Sequence, residues 1–304
     1  MFLELLISLF WAQVEELRSI ALPLPGYKNK MIFMKTITFI FLAIFFASVV
    51  SAQDTEFPRS KKTDSRYWLL GVGLSIQNMY DEGISYVRYK GTGIAPSIGL
   101  IKSTEKKYCQ FLLQPTFNKL TTDRSNELRP MAVRTTRFVL DYQYLVRVKE
   151  WDEKLKLFAG GNASLLFNLK TAEQLDNSQL VYDYALSIGP AAKLDKTVKW
   201  NKRECVAAIG LSVPLISHIA RPYYLNRIEF IDPENDFLGD LFSNSSVVTV
   251  NKNFRITSGL SFTYPLFNKN ELKLGYTWDF YKMTTINSVY AAEHLISISF
   301  LSNY

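Results

Sequence analysis

Large apolar residues alternate with small or polar residues along most of the chain. From Trp68 to Gln77, tryptophan, leucine, valine and isoleucine occupy every second position, and mainly glycine, serine and glutamine lie between them. Because successive side chains of a strand point to opposite faces, a period of two predicts a two-faced strand. The period recurs and predicts about ten strands, at 67–77, 93–103, 108–119, 131–148, 155–170, 180–194, 203–217, 254–267, 271–283 and 289–304. A count of eight or twelve strands also fits the weaker segments.

The lengths of the strands and of the gaps between them narrow the fold class. Most of the predicted strands exceed the roughly 5–6 residues of a soluble strand and reach the about 9–11 residues that a tilted membrane-spanning strand needs. The gaps after the second, fourth, sixth and eighth strands are short, whereas 78–92, 120–130 and 218–253 are predicted to be longer loops. Short turns on one side and long loops on the other are typical of outer-membrane barrels.

The composition of the two faces indicates which of them meets lipid. The polar face carries small residues and few charges, and the apolar face carries aromatic residues near the strand ends. This distribution favours an apolar face turned outward to lipid and a polar face turned into a lumen. A soluble ligand-binding barrel or sandwich would explain the alternation, but not the strand lengths or the loop asymmetry.

The segment Met34 to Ala52 has the three-part layout of a secretory signal peptide. A lysine follows the methionine, an apolar run comes next, and small residues precede Gln53. We therefore expect cleavage between Ala52 and Gln53. Residues 1–33 are interpreted as an upstream extension produced by a start codon assigned too early, with a real amphipathic extension as the alternative. Residues 53–66 are then a periplasmic N-terminal segment and 67–304 the barrel.

The last strand carries a family resemblance. Ile296, Ile298 and Phe300 alternate toward the terminal aromatic Tyr304, although Ser302 interrupts the apolar pattern. This arrangement resembles the C-terminal assembly signal of the up-and-down β-barrel family of the Gram-negative outer membrane. The resemblance implies an all-β, antiparallel transmembrane barrel in that membrane, in contact with lipid and lipopolysaccharide. It also implies recognition by the barrel-assembly machinery. Because an even strand count returns the chain to its starting side, both termini are predicted on the periplasmic side.

Charged residues at inward positions are predicted to form a network in the lumen. A narrow lumen requires buried charges to pair or to form hydrogen bonds, so these residues are expected to fill the barrel. A narrow polar path for a small solute is the alternative interpretation. The predicted lumen residues are Arg137, Asp141, Arg147, Lys156, Asp183, Arg255, Lys273, Asp279 and Glu293.

The sequence predicts no catalytic, cofactor or metal site, and a structural, binding or envelope-assembly role is preferred. His218 is expected at the start of the longest loop and His294 on the lipid-facing side of the last strand, and neither has a recognisable catalytic spacing. The alternating carboxylates of Asp232, Glu234 and Asp236 lack the glycine and closing glutamate of a calcium loop. A small passive channel and, less favoured, an outer-membrane hydrolase are the alternatives.

Net charge, the longest predicted loop and the two cysteines bear on the possible partners of the protein and on disulfide bonding. The net charge of +7 is spread along the chain without a basic stripe, so a nucleic-acid partner is not expected. Aromatic residues in 218–253 indicate either a loop that packs on the rim or folds into the mouth of the barrel, or a loop that contacts a partner or lipopolysaccharide. The two cysteines, Cys109 and Cys205, are predicted to lie four strands apart, too far for a disulfide, and to face lipid.

Overall fold

The computed structural model describes residues 64–122, 131–151, 154–172, 180–200, 203–221, 245–285 and 287–304. These residues form twelve β-strands. The described part of the chain contains no helix long and apolar enough to cross a membrane. The strands are β1 Asp64–Asp81, β2 Ser85–Thr104, β3 Lys107–Thr122, β4 Ala132–Trp151, β5 Leu155–Thr171, β6 Leu180–Trp200, β7 Arg203–Ser212, β8 Ile216–Ala220, β9 Ser245–Thr249, β10 Asn253–Pro265, β11 Glu271–Met283 and β12 Val289–Asn303.

Ten of these strands form a closed antiparallel ring, which confirms the predicted fold class and strand count. The ring runs from β1 to β7 in chain order, continues through β10, β11 and β12, and closes where β12 pairs with β1. The short strands β8 and β9 continue β7 and β10: β8 pairs with the same edge of β6 as β7 does, and β9 pairs with β8. Closure removes every free sheet edge from the ring.

The two ends of the barrel differ in how the strands are connected. At one end, residues 105–106 join β2 to β3 and residues 266–270 join β10 to β11. This end is called the turn end. Asp64 and Tyr304 lie at this same end, because an even number of ring strands returns the chain to its starting side. The opposite end, where β1 joins β2 and β11 joins β12, is called the loop end.

A belt of exposed apolar side chains surrounds the middle of the barrel. Leu74 on β1 and Ile296 on β12 each expose 57% of their surface, and they occupy the parity that was predicted to face lipid. Their neighbours of opposite parity, Ser75 and Leu295, are buried in the lumen. Other strands contribute to the same belt through Ile98, Phe111, Phe138, Tyr142, Ile188, Ile209, Leu260 and Leu274.

Aromatic pairs mark the two edges of this belt. At the turn end, the rings of Trp68 and Tyr304 lie 6.0 Å apart, as do those of Trp200 and Phe262. At the loop end, Tyr80 and Tyr290 pair at the same 6.0 Å separation. Aromatic girdles at both interfaces are the usual boundary of the apolar band of a transmembrane barrel.

The prediction of a long loop at 78–92 is wrong. β1 and β2 continue toward each other and are joined by the three residues 82–84, where the backbone N–H of Ile84 donates to the carbonyl of Asp81 at 3.1 Å. In this region Met79 and Tyr89 point inward and are buried, whereas Arg88 and Lys90 point outward. Here the apolar residues face inward and the charged residues face outward, the reverse of the belt. This reversal is expected where a strand leaves the apolar band and meets water. The belt pattern therefore stops before the strand does.

Other strand boundaries also differ from those predicted. β1 begins at Asp64, so the barrel starts before Tyr67. His218 does not begin a loop: it lies in β8, at an outward position beside Tyr184. Residues 1–63, which include the predicted signal peptide and its cleavage site, lie outside the described residues.

Cys109 and Cys205 are free, which confirms the prediction that they do not form a disulfide. They lie on β3 and β7, four strands apart in the ring. The two thiols differ in environment, since Cys109 is partly exposed and Cys205 is buried even though it shares the outward register of Ile209.

Candidate functional site

A group of four charged side chains crosses the middle of the lumen. This central network consists of Arg137 on β4, Arg255 on β10, Asp279 on β11 and Glu293 on β12. Arg137 donates to the carboxylates of both Asp279 and Glu293, which lie across the ring from β4. Arg255 donates to the two carboxylate oxygens of Asp279 at 3.0 and 2.9 Å. Two cations and two anions are thus paired, and the network is formally neutral.

Neutral hydrogen-bonding groups complete the central network. The hydroxyl of Ser75 donates to Glu293 at 2.5 Å, and that of Thr257 donates to Asp279 at 3.2 Å. Ser164 accepts from Arg255 at 3.2 Å. The charges are therefore held by several strands at once, which is the condition under which buried ions are tolerated.

A second group of four charges lies nearer the loop end. This loop-side network consists of Asp81, Lys170, Asp183 and Arg221, and each of these residues is at most 1% exposed. Lys170 binds Asp81, at 2.5 Å, and Asp183. Arg221 also binds both carboxylates. Since Lys170 on β5 and Asp81 on β1 are four strands apart, these contacts also cross the lumen.

Tyr281 connects the two networks. Its hydroxyl donates to Asp183 at 2.9 Å and accepts from the side-chain amide of Asn168 at 2.9 Å. Its ring faces the guanidinium of Arg137, whose central carbon lies 5.7 Å from the ring centre. The polar interior is therefore continuous from the middle of the barrel toward the loop end.

Buried apolar side chains close around this polar interior at both ends. The loop-end layer draws members from strands around the ring: Met79, Ile84, Tyr89, Leu120, Val133, Val139, Leu166, Ala172, Val181, Ala185, Ile219, Val248, Tyr281, Met283, Val289 and Ala291. The turn-end layer contains Tyr67, Leu69, Ile101, Tyr108, Leu145, Phe158, Ala191 and Leu301. The turn-end layer has no member on β7, β10 or β11.

A cavity of about 170 Å³ lies in the lumen between the central network and the turn-end layer. Arg137 and Glu293 line it on one side, and Leu69 and Tyr108 line it on the other. Its wall along β7, β10 and β11 includes five small residues. These residues are Ala208, Gly210, Gly259, Ser261 and Gly275.

The structure brings together part of the predicted lumen set. Arg137, Arg255, Asp279 and Glu293 meet in the central network, and Asp141 lies near them, where it accepts from Asn162 at 3.2 Å. Asp183 belongs to the loop-side network, and Lys273 lines the cavity. The remaining two predicted residues, Arg147 and Lys156, pair instead with Glu150 at the turn end and are partly exposed.

Three residues of the loop-side network were not predicted. Asp81 and Arg221 lie in segments that the sequence placed in loops, and Lys170 is the last residue of its predicted strand. The parity of Lys170, two residues after Asn168, was an available signal for an inward position. No local signal identifies Arg221, because its partners are 38 and 140 residues away in the chain.

Both histidines lie on the outer surface and away from the lumen carboxylates. The Nδ1 atom of His294 is 2.7 Å from the hydroxyl of Tyr276, and the edge of His218 meets the ring of Tyr184. Within the described ranges, no group of three or more His, Cys, Asp or Glu side chains is arranged to hold a metal ion. The carboxylates of Asp232, Glu234 and Asp236, and the aromatic loop around them, lie outside the described residues.

The predicted C-terminal assembly signal lies on β12, the strand that closes the ring. Ile296, Ile298 and Tyr304 are exposed on the outer face, and Phe300 has the same parity but is buried. The backbone N–H of Tyr304 donates to the carbonyl of Arg66 at 3.2 Å, which ties the end of the chain to β1.

The ring, the outer belt and the polar interior together define the fold of an outer-membrane β-barrel. No protein-family model matches the chain. No curated protein matches it either. Among solved structures, the chain resembles the outer membrane protease OmpT from Escherichia coli, with 8% identity, a TM-score of 0.45, and coverage of 83% of this chain and 100% of that one.

Two further solved barrels show weaker similarity. The translocator domain of the autotransporter NalP from Neisseria meningitidis has 10% identity and a TM-score of 0.39, with 89% of this chain and 97% of that chain covered. A TodX monoaromatic hydrocarbon channel mutant has 6% identity and a TM-score of 0.24, with 79% and 91% covered. These proteins differ in activity, and similarity at this level assigns none of those activities to this chain.

Proposed function

We propose that this protein is a barrel of the Gram-negative outer membrane that serves as an anchored structural, binding or envelope-assembly component and does not conduct solutes. The observation that carries this proposal is the filling of the lumen. Two neutral charge networks cross it, and clusters of buried apolar side chains pack around them toward both ends. Barrels of about eight strands have interiors that side chains fill, whereas those of 16–18 strands leave an aqueous channel.

The membrane location is supported by the outer surface of the barrel. A ring-shaped belt of exposed leucine, isoleucine, valine and aromatic side chains would be costly in water, and it matches the apolar band of a transmembrane barrel. Lipid and lipopolysaccharide are the proposed partners of this belt. The barrel-assembly machinery is the proposed partner of β12 during insertion.

Cell fractionation tests the location. We expect the protein in the outer-membrane fraction, released by detergent but retained after washing with high salt. On a gel, the unheated protein should migrate differently from the boiled protein, because closed barrels resist unfolding by the gel detergent. Recovery in the soluble periplasmic fraction would contradict the proposal.

Planar-bilayer recordings test the closed lumen. Purified protein is expected to give no steady unitary current, because ions would have to displace the paired charges of both networks. A general porin, purified and reconstituted by the same protocol, is the control for successful insertion. Stable single-channel steps from this protein would favour instead a small passive channel, for which the lumen cavity is the supporting feature.

A further inference from the structure

We propose that the lumen cavity is a binding site for a small oxyanion, either a carboxylate or a phosphate, held by the ammonium group of Lys273 and entered from the turn end. This inference goes beyond the anchoring role. It rests on three features of the cavity: one cation that forms no salt bridge or hydrogen bond within the described residues, two glycines with open space beside them, and a gap in the turn-end layer.

The first feature is an imbalance in charge pairing. Four cationic side chains line the cavity: Arg137, Lys193, Arg255 and Lys273. The two arginines bind the carboxylates of the central network, and Lys193 binds Asp195 at 2.6 Å. In the part of the chain that the structure describes, the ammonium of Lys273 forms no salt bridge or hydrogen bond. An ammonium group has three donors, and none of those of Lys273 is used within the described residues, although the charge of Asp195 attracts it from a distance.

The surroundings of Lys193 explain why it is not the anchor. Besides its salt bridge, its ammonium lies 4.1 Å from the centre of the Tyr108 ring and 6.0 Å from that of Phe158. Both rings belong to the turn-end layer. Lys193 is therefore part of the packing of that layer, whereas Lys273 on β11 faces the side of the lumen that the layer leaves uncovered.

The second feature is unfilled space in the cavity that Lys273 lines. A Cβ atom added to Gly210 would meet no atom within 4 Å, and one added to Gly259 would meet its nearest neighbour at 3.8 Å. Lys273 and these glycines line the same cavity of about 170 Å³. A water molecule takes up about 30 Å³ in the liquid, so a carboxylate or phosphate group with some water fits this volume.

The third feature is access. The turn-end layer has no member on β7, β10 or β11, although its Tyr67 donates to Glu271 on β11 at 2.9 Å. Lys273 is only partly buried, unlike the fully covered Lys170 of the loop-side network. Within the described residues, an approach to Lys273 from the turn end therefore crosses neither network.

The carboxylates of the cavity define what the site rejects. Asp279 and Glu293 are neutralised by arginines, whereas Asp141 accepts from Asn162 at 3.2 Å and, within the described residues, is attracted by Arg255 without forming a salt bridge. A second negative charge near Asp141 would be repelled. The site is therefore suited to an anion that places its charge on the Lys273 side of the cavity, and small anions are preferred to extended polyanions.

Calorimetric titration of the folded barrel tests the inference, with inorganic phosphate and acetate as separate probes in a detergent that contains no phosphate. We expect at least one probe to bind the wild type. The variant Lys273→Met should weaken that binding about tenfold or more, whereas Lys273→Arg should retain it, since an ionic hydrogen bond is lost in the first variant only. The probe that binds more tightly identifies the preferred oxyanion.

Two matched pairs of variants separate specific binding from general effects. Gly210→Leu should abolish binding by filling the cavity, while Gly161→Leu adds the same side chain at an exposed outward glycine and should leave binding unchanged. Lys269→Met removes one charge from the exposed turn 266–270 and should also leave it unchanged. Gel mobility before and after boiling confirms folding of each variant. The inference is overturned if neither probe binds the wild type, or if folded Lys273→Met binds as well as the wild type.

Discussion

Substitution of Arg137 by methionine is expected to destabilise the barrel more than any change at the turn end. Arg137 is 1% exposed and binds Asp279 and Glu293 across the lumen. Removing one partner of a buried ion pair costs about 3–5 kcal/mol, because the remaining charge stays buried without compensation. The fraction of protein that keeps its folded gel mobility, measured over a guanidinium series, should fall accordingly.

Arg147 supplies the control. It binds Glu150 at the turn end with 23% of its side chain exposed, and exposed pairs contribute about 0–1 kcal/mol. Arg147→Met should therefore unfold close to the wild-type midpoint. Combining Arg137→Met with Glu293→Gln should recover part of the loss, because one charge of each sign is then removed. Equal midpoints for Arg137→Met and Arg147→Met would show that the central network does not stabilise the barrel.

Two alanine substitutions at inward glycines should have opposite signs. A Cβ on Gly93 would overlap the carbonyl oxygen of Phe117 and approach the backbone of Asn118 on the paired strand β3. Backbone atoms cannot move aside as a flexible side chain can, so Gly93→Ala should cost about 1–3 kcal/mol or more and weaken the β2–β3 seam. Gly210→Ala adds the same methyl group to open space and should stabilise the strand by about 0.5–1 kcal/mol.

The comparison is made on guanidinium midpoints of purified, folded variants. Gly91→Ala is a second test of the same seam, because its Cβ would overlap the carbonyl oxygen of Lys119. If Gly93→Ala and Gly210→Ala shift the midpoint in the same direction and by similar amounts, the close approach of β2 and β3 is not what requires a glycine at position 93.

The sequence predicted the belt well because the relevant information is local. Within the apolar band, the side-chain direction depends only on parity, so Trp68, Leu74 and Ile296 could be placed on the outer face from their own neighbours. The same argument placed Arg137, Asp279 and Glu293 in the lumen. It also placed Cys109 and Cys205 on strands too distant to be joined.

Prediction failed where the environment of the strand changes along its length. Beyond the belt, Met79 and Tyr89 are the inward apolar residues, and Arg88 and Lys90 face outward. The alternation persists there, but the apolar residues now face inward and the charged residues face outward. The belt pattern therefore ends before the strands do, and 78–92 was predicted to be a loop. The buried positions of Asp81 and Arg221 were missed for the same reason, since both lie beyond the predicted strand ends.

The amino-acid sequence by itself determined the all-β class, the approximate strand count and the face of each residue within the belt, because strand geometry repeats every two residues. Only the tertiary structure decided which charges meet, since Arg137 and Glu293 are 156 residues apart and are brought together by ring closure. Within the described residues, closure also left Lys273 without a salt bridge or hydrogen bond in a cavity that Gly210 helps to line. The width of the lumen and the relative shift of the strands determine these contacts, and both are properties of the complete ring and not of any single strand.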